Sequence, residues 1–171
     1  MKKTLIVVFA CALLGASWWL VSPLFLDKEV SEGLPPVEEN QEPSENAKDE
    51  AENKESGTEP TEMASKMFAG KFKGADAKHQ AAGKVITVEA EEGLFIRFEE
   101  FEVTNGPDLY VYLVKQDEET KEGIELGKLK GNKGSQNYLI PEGIDLEVYQ
   151  KVVIWCKAFD EDFGYASLER Q

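Results

Sequence analysis

Cys156 is the first residue of this chain to consider for chemistry, because a thiolate is a nucleophile and a metal ligand. It lies in the apolar run 152–159, which predicts a strand that continues as far as Phe159. Because side chains alternate across a strand, Trp155 and Lys157 face away from the thiol. On its own face the thiol is accompanied by the apolar side chains of Val152, Ile154 and Ala158.

Two interpretations of Cys156 are open on the residues alone. In the first it is structural, because unpaired cysteines are often buried and a thiol enclosed by apolar groups does not form the reactive thiolate. In the second it is a free reactive thiol, because exported domains usually pair or avoid their cysteines. The other cysteine, Cys11, lies in an apolar N-terminal stretch and cannot pair with Cys156 from within a membrane.

His79 is the only imidazole of the chain. It stands between polar neighbours at the entrance of a predicted strand. There it could be a second ligand to haem or a metal, or the base that ionises Cys156, since cysteine and histidine form a known nucleophile pair. The alternative is a loop histidine that bonds a backbone carbonyl. Sequence spacing does not decide whether His79 and Cys156 meet.

Composition excludes several classes of function. One histidine and two cysteines cannot supply the four ligands of a closed zinc site, or the two histidines and one cysteine of blue copper, so no metal site is predicted. The 33 acidic and 19 basic residues give a net charge of -14, which argues against a nucleic-acid partner. No hydrolase, phosphate-loop or EF-hand motif is present, and the sequence does not decide whether the chain is an enzyme.

Residues 1–26 predict an uncleaved membrane anchor. Lys2 and Lys3 precede 23 uncharged residues, 4–26. A helix of that length, rising about 1.5 Å per residue, crosses a hydrocarbon core of about 30 Å. The positive-inside rule then keeps the N-terminus in the cytoplasm, which makes this a single-pass cell-membrane protein with its C-terminal part outside. The rival interpretations are a cleaved signal peptide and a lipoprotein signal at Cys11, and the residues around each cleavage point fit poorly.

Residues 27–66 predict a disordered acidic linker. They carry 13 acidic and 4 basic residues and cannot bury enough apolar surface to offset chain entropy. The simplest role is a spacer that lifts a domain off the membrane, and the alternative is an acidic arm that binds a partner.

Residues 67–171 predict an all-β domain, an antiparallel sandwich or barrel of about eight short strands. Alternation is clear at 94–98 and 109–113, and Gly and Pro turns separate the apolar runs. The predicted strands lie near 70–73, 83–89, 94–103, 109–115, 124–129, 137–140, 152–159 and 165–168. We also expect a hairpin loop at 127–135 and a helical turn at 145–150.

Several motifs of this domain, in order, resemble the DM13 family. They are Gly70-Lys71-Phe72, Ala82-Gly83-Lys84-Val85, Asn105-Gly106-Pro107-Asp108-Leu109-Tyr110, Leu126-Gly127-Lys128-Leu129, Gln136-Asn137-Tyr138 and Val153-Ile154-Trp155-Cys156-Lys157. The resemblance covers 68–168, and the anchor is similar to that of membrane-tethered bacterial members. It implies an electron-transfer module, in which the signature cysteine acts as a bare thiol or as the ligand of a prosthetic group such as haem.

Only Cys156 matches the family's signature cysteine, so only Cys156 inherits that role. Animal members carry the domain beside a DOMON domain, which this chain lacks, so a redox partner would be a separate protein. The competing function is a non-catalytic surface module that binds a protein or glycan through loops 105–108 and 131–137. Exposure of the thiol, an approach of His79 to Cys156 and a pocket that fits a tetrapyrrole would each favour the redox function.

Overall fold

The computed structural model describes residues 26–36 and 67–171. They form two packed β-sheets, of which the first has the strand order β1-β8-β5-β4-β2-β11 and the second β3-β10-β9-β6-β7. The strands are β1 (Glu29–Ser31), β2 (Phe68–Lys71), β3 (Lys73–Gly74), β4 (Ala81–Ala90), β5 (Gly93–Val103), β6 (Leu109–Val114), β7 (Ile124–Lys128), β8 (Lys133–Leu139), β9 (Lys151–Cys156), β10 (Glu161–Ser167) and β11 (Glu169–Arg170). Every pairing is antiparallel except that of β1 with β8.

The inward-facing residues of β5 and β6 build the core between the sheets. Ile96 and Phe98 of β5 and Val111 and Leu113 of β6 are each fully buried. The ring of Phe98 meets that of Phe72 edge to face, with ring centroids 4.8 Å apart. Each such side chain contributes about 1.5–3 kcal/mol when fully buried. The alternation read in the sequence is therefore what holds the two sheets together.

The predicted all-β sandwich is confirmed, and each of the eight predicted strands corresponds to an observed one. The short strands β1, β3 and β11 were not predicted. The predicted hairpin at 127–135 is wrong, because β7 and β8 belong to different sheets and the connection crosses between them. The turn expected at 145–150 is present, since the amides of Val148 and Tyr149 both donate to the carbonyl of Asp145.

The segment 27–36, predicted as part of a disordered linker, packs on the domain. Its strand β1 pairs with β8 from Glu29 to Ser31. The rest of that predicted linker, 37–66, and the predicted anchor up to residue 25 lie outside the described residues. Within 26–36 and 67–171, no helix is long and apolar enough to cross a membrane.

One end of the sandwich carries Cys156, and we call it the Cys156 end. Cys156 ends β9, opposite Leu109 at the start of β6 and Glu161 at the start of β10. Ala81, which begins β4, pairs with Val103 at the end of β5. The loops 75–80, 104–108 and 157–160 therefore lie at this end.

The other end, called the opposite end, carries the β4–β5 turn. Glu91 of this turn donates its amide to the carbonyl of Pro36. Leu139, the last residue of β8, pairs with Phe95 close to the same turn. In the second sheet, Val114 ends β6 opposite the start of β9. The first described residue after the gap, Met67, accepts a bond from the amide of Gln171 and also lies at this end.

Candidate functional site around Cys156

The thiol of Cys156 is enclosed in the core. Its side chain is 0% exposed and belongs to the main buried cluster, as do Val152 and Ile154 on the same strand face. The strand that was predicted to reach Phe159 ends at Cys156. Ala158 therefore lies in the following turn and is exposed, instead of sharing a strand face with the thiol. The inward orientation of Cys156, deduced from alternation, agrees with the structure.

The opposite face of β9 carries an aromatic and charged cluster that does not touch the thiol. Trp155 packs edge to face on Tyr112, with centroids 5.3 Å apart. The Lys157 ammonium lies 2.6 Å from an oxygen of Glu125 and 3.8 Å from the ring centre of Tyr110. Lys157 is therefore held by an anion and a ring on the outer face, and its charge does not support a thiolate in the core.

His79 is held by a carboxylate and an aromatic ring. Its Nδ1 lies 2.9 Å from Oδ2 of Asp76, and its ring centroid is 4.1 Å from that of Phe163. The other oxygen of Asp76 accepts the backbone amides of His79 and Lys78 at 2.8 and 2.6 Å. These bonds, that of the His79 amide first, lower the pKa of Asp76 from its usual 3.8 to about 2. The partner of the imidazole is thus a carboxylate, where the structural alternative had a backbone carbonyl.

Among the described residues, no hydrogen bond joins His79 to Cys156. Phe163, on which His79 stacks, belongs to the same buried cluster as Cys156. Among residues 26–36 and 67–171, the sulfur of Cys156 has no hydrogen-bond partner, and His79 contacts Asp76 and Phe163 through its ring. The described contacts therefore do not pair His79 with the thiol, and a functional role for either residue remains a prediction.

The arrangement around Cys156 does not fit a haem. Surface clefts of about 350, 420, 530 and 700 Å³ in the described part of the chain are lined by neither Cys156 nor His79. With its side chain 0% exposed, Cys156 offers no accessible sulfur to a tetrapyrrole in this conformation. In the same described ranges, no three His, Cys, Asp or Glu side chains are grouped so as to hold a metal ion.

Comparison with protein families decides the assignment. Residues 71–168, more than half of the chain, match the family model described as Electron transfer DM13. The chain belongs to the DM13 family. The match runs from the end of β2 to Leu168 and includes Cys156 and His79, whereas β1 lies before it. No curated protein and no solved structure was found to match.

Two features of the site escaped the sequence analysis. The first is the bond between Asp76 and His79. The sequence signal for it was an aspartate three residues before the histidine in a loop, because an aspartate side chain there can accept hydrogen bonds from nearby backbone amides. The segment 27–36 reaches the Cys156 end through Asp27, which accepts hydrogen bonds from Asn132 and Asn105. No local pattern pointed to that contact, because the partners are more than 75 residues apart in sequence.

Proposed function

We propose that this chain is a membrane-tethered, extracytoplasmic DM13 domain that serves as a redox module through the thiol of Cys156. The family's description as an electron-transfer domain supports the redox class. The observation that carries the choice of residue is the position of Cys156. It is the one cysteine within the described residues, and it is the last residue of β9, next to an exposed turn.

The turn 157–160 is the route by which the thiol becomes reactive. Phe159 in this turn is 65% exposed, and Asp160 has a φ of 54°, in the left-handed region that costs a non-glycine residue free energy. The amide of Phe159 bonds the carbonyl of Cys156 at 3.3 Å, so the turn and the end of the strand move together. Local opening costs less free energy than global unfolding where few buried contacts hold a segment. Opening this turn admits water and a base to the sulfur, as thiolate formation requires.

The tether is proposed from the sequence. Residues 4–26 are uncharged and follow Lys2 and Lys3, which suits a single-pass anchor with the N-terminus in the cytoplasm. Electrons would pass to or from a separate partner protein, which is consistent with the family's description as an electron-transfer domain.

Complete burial of Cys156 favours a second candidate function, a binding module in which the cysteine is structural. However, the fold already uses residues of both loops that were predicted to bind a partner. Most of 131–137 is strand β8, and the side chains of Asn105 and Asn132 are occupied by Asp27. A binding surface would have to lie elsewhere on the domain.

The rate of thiol alkylation separates the two functions. The full chain carrying Cys11→Ala, in membranes, leaves Cys156 as its single thiol. We expect iodoacetamide to label it in the native state faster than global unfolding allows. Asp160→Gly relieves the left-handed strain by about 1 kcal/mol and should slow labelling roughly fivefold. Glu142→Gly, in an exposed turn at the opposite end, is the matched control and should leave the rate unchanged.

Redox trapping completes the test. Acid quenching of cells followed by alkylation and mass spectrometry should find part of Cys156 oxidised. Labelling that proceeds only at the rate of global unfolding, together with a fully reduced Cys156 in cells, would refute the redox function and favour the binding module. A Soret band that forms on adding haem and is lost in Cys156→Ala would overturn our conclusion that haem does not fit.

A further inference from the structure

We propose that strand β1 holds the domain directly against the membrane with its Cys156 end facing the lipid headgroups, so that the acidic segment 37–66 leaves and rejoins the domain on the side away from the membrane. This inference rests on the membrane tether of the proposed function. It replaces the spacer role expected for the whole of 27–66. Three features of the domain support it: the attachment of β1, the end at which Asp27 lies, and the end at which 37–66 leaves and returns.

The attachment begins at Asp27, immediately after the predicted anchor. One oxygen of Asp27 accepts bonds from the side-chain amides of Asn132 and Asn105 at 2.8 and 3.2 Å. The other lies 2.8 Å from the ammonium of Lys133. The next amide, that of Lys28, donates to Asn132 Oδ1 at 2.6 Å. At most one residue therefore separates the apolar run from groups fixed in the domain.

The attachment continues along β8 to Glu32. Its carboxylate takes the ammonium of Lys130 at 2.8 Å and the backbone amide of Asn137 at 2.7 Å. Arg97, only 8% exposed, donates to the carbonyl of Gly33 at 2.9 Å. A buried guanidinium that uses this carbonyl would lose a partner if the segment left, which costs more than an exposed contact.

Backbone shape shows that the edge of β8 is built to receive β1. Gly134 has a φ of 99°, and a Cβ at this position would collide with the carbonyl oxygen of Val30. Gly131 is close-packed in the same way, because a Cβ there would meet the carbonyl of Lys28. Two glycines that leave room for the same segment indicate that this edge of β8 is shaped to bind it.

The start of β1 lies at the Cys156 end. Asn105, which bonds Asp27, belongs to the loop 104–108 at that end. Leu26, the last residue of the predicted anchor, is 65% exposed there, and Phe159 of the turn 157–160 is equally exposed. An apolar side chain at the tip of a turn suits contact with a headgroup layer. A redox partner of Cys156 must then work within that layer.

The acidic segment leaves and returns at the opposite end. Pro36 accepts the amide of Glu91 in the β4–β5 turn, and Met67 lies at the same end, where it accepts the amide of Gln171. The strand β5 that spans the two ends has 11 residues, or roughly 30 Å at about 3.3 Å per residue. Residues 37–66 therefore join the domain about 30 Å from Asp27 and contribute nothing to the distance between Leu26 and the domain.

Fluorescence quenching in liposomes tests the orientation. A fluorophore is placed on Lys78→Cys, exposed at the Cys156 end, or on Glu142→Cys, exposed at the opposite end. Both full chains also carry Cys11→Ala and Cys156→Ala. With nitroxide-labelled lipid headgroups, we expect the label at 78 to lose most of its fluorescence and the label at 142 to keep it. If the chain co-sediments with liposomes and both labels are quenched alike, this inference is overturned and the tether stands. If the chain does not co-sediment, the tether itself fails, and the inference with it.

A second experiment tests the strand attachment by cutting the chain within the acidic segment 37–66. A protease site is inserted after Gly57 in the full chain, and the membrane-bound protein is cleaved. We expect the fragment from residue 58 onward to stay with the membrane through β1. Glu32→Ala should release it at least about tenfold faster than the control Glu29→Ala, whose side chain is exposed on the adjoining strand β1. Immediate release of the fragment from both variants alike would overturn the attachment.

Discussion

Replacement of Cys156 by serine and by alanine gives the sharpest test of how the thiol is enclosed. Serine keeps the shape of the side chain and exchanges sulfur for a hydroxyl. In the described part of the chain the sulfur has no hydrogen-bond partner, and its surroundings on the core face are apolar, such as Val152 and Ile154. The new hydroxyl would therefore be buried without a partner. At an exposed position the two substitutions would be nearly equivalent.

The expected magnitudes follow from these surroundings. An unpaired buried hydroxyl costs about 1–3 kcal/mol, to which the lost apolar contact of sulfur adds. Alanine removes one heavy atom and leaves a small void, which costs about 1 kcal/mol. Serine should therefore destabilise the domain more than alanine does, although it is the closer match in size.

Urea unfolding of the chain from Asp27 onward, followed by the fluorescence of Trp155, measures the order. With a slope of about 2 kcal/mol per molar urea, Cys156→Ser should lower the midpoint by about 0.5–1.5 M, and by more than Cys156→Ala. A serine variant as stable as the wild type, or more stable than the alanine variant, would refute the enclosed site. It would equally remove the need for the turn to open.

Two further predictions concern the polar contacts around β8. Tyr138→Phe should lower the free energy of unfolding by about 1–2 kcal/mol. The buried Tyr138 hydroxyl accepts a hydrogen bond from the amide of Lys130 and donates one to Gln136, so its removal leaves the Lys130 amide unpaired. An unchanged urea midpoint would contradict this prediction. Acid should loosen β1. Burial alone would raise the pKa of Glu32, but hydrogen bonds from Lys130 and the amide of Asn137 outweigh burial and lower the pKa below its usual 4.5. The ionised carboxylate therefore stabilises the fold above about pH 4.5, and this contribution is lost as the pH falls through the lowered pKa. Hydrogen exchange of the β1 amides at pH 7 and about pH 3 should show the loss of protection, and an equal loss in Glu32→Gln would exclude Glu32 as its source.

The sequence predicted the elements whose signal is local. Leu109 to Leu113 alternate strictly between apolar residues that face inward and tyrosines that face outward, so β6 and its buried face were recognisable. The same alternation placed Cys156 on the apolar face of its strand, with Val152 and Ile154, and left its burial open. Strand membership was recognisable, but sheet membership was not. The loop after β7 looks like a hairpin because nothing local states that β8 pairs with β5 and β1.

The segment 27–36 could not be predicted to fold, because its own residues do not drive it to fold. Val30 is the single apolar residue of β1. The stabilising partners Asn132, Lys133 and Asn137 are supplied more than 100 residues later. Composition indicates how much apolar surface a segment can bury by itself, but it does not indicate which contacts distant residues supply. For the same reason, the contact of His79 with Phe163 could only be read from the structure.

The pairing of β1 with β8 also fixes an order of assembly in time. Synthesis delivers β1 first, but its partner Lys133 follows only after three quarters of the chain has been made. Contacts of such wide sequence separation form slowly, since a long loop must close before they repay its entropy. Until then, the edge of β8 is open to strands of other chains. Because β1 belongs to the same chain, its high effective concentration favours correct closure over pairing with a neighbour. Among the described strands, the first to be made thus waits for one of the later ones, and it covers an edge of β8 that would otherwise be open to other chains.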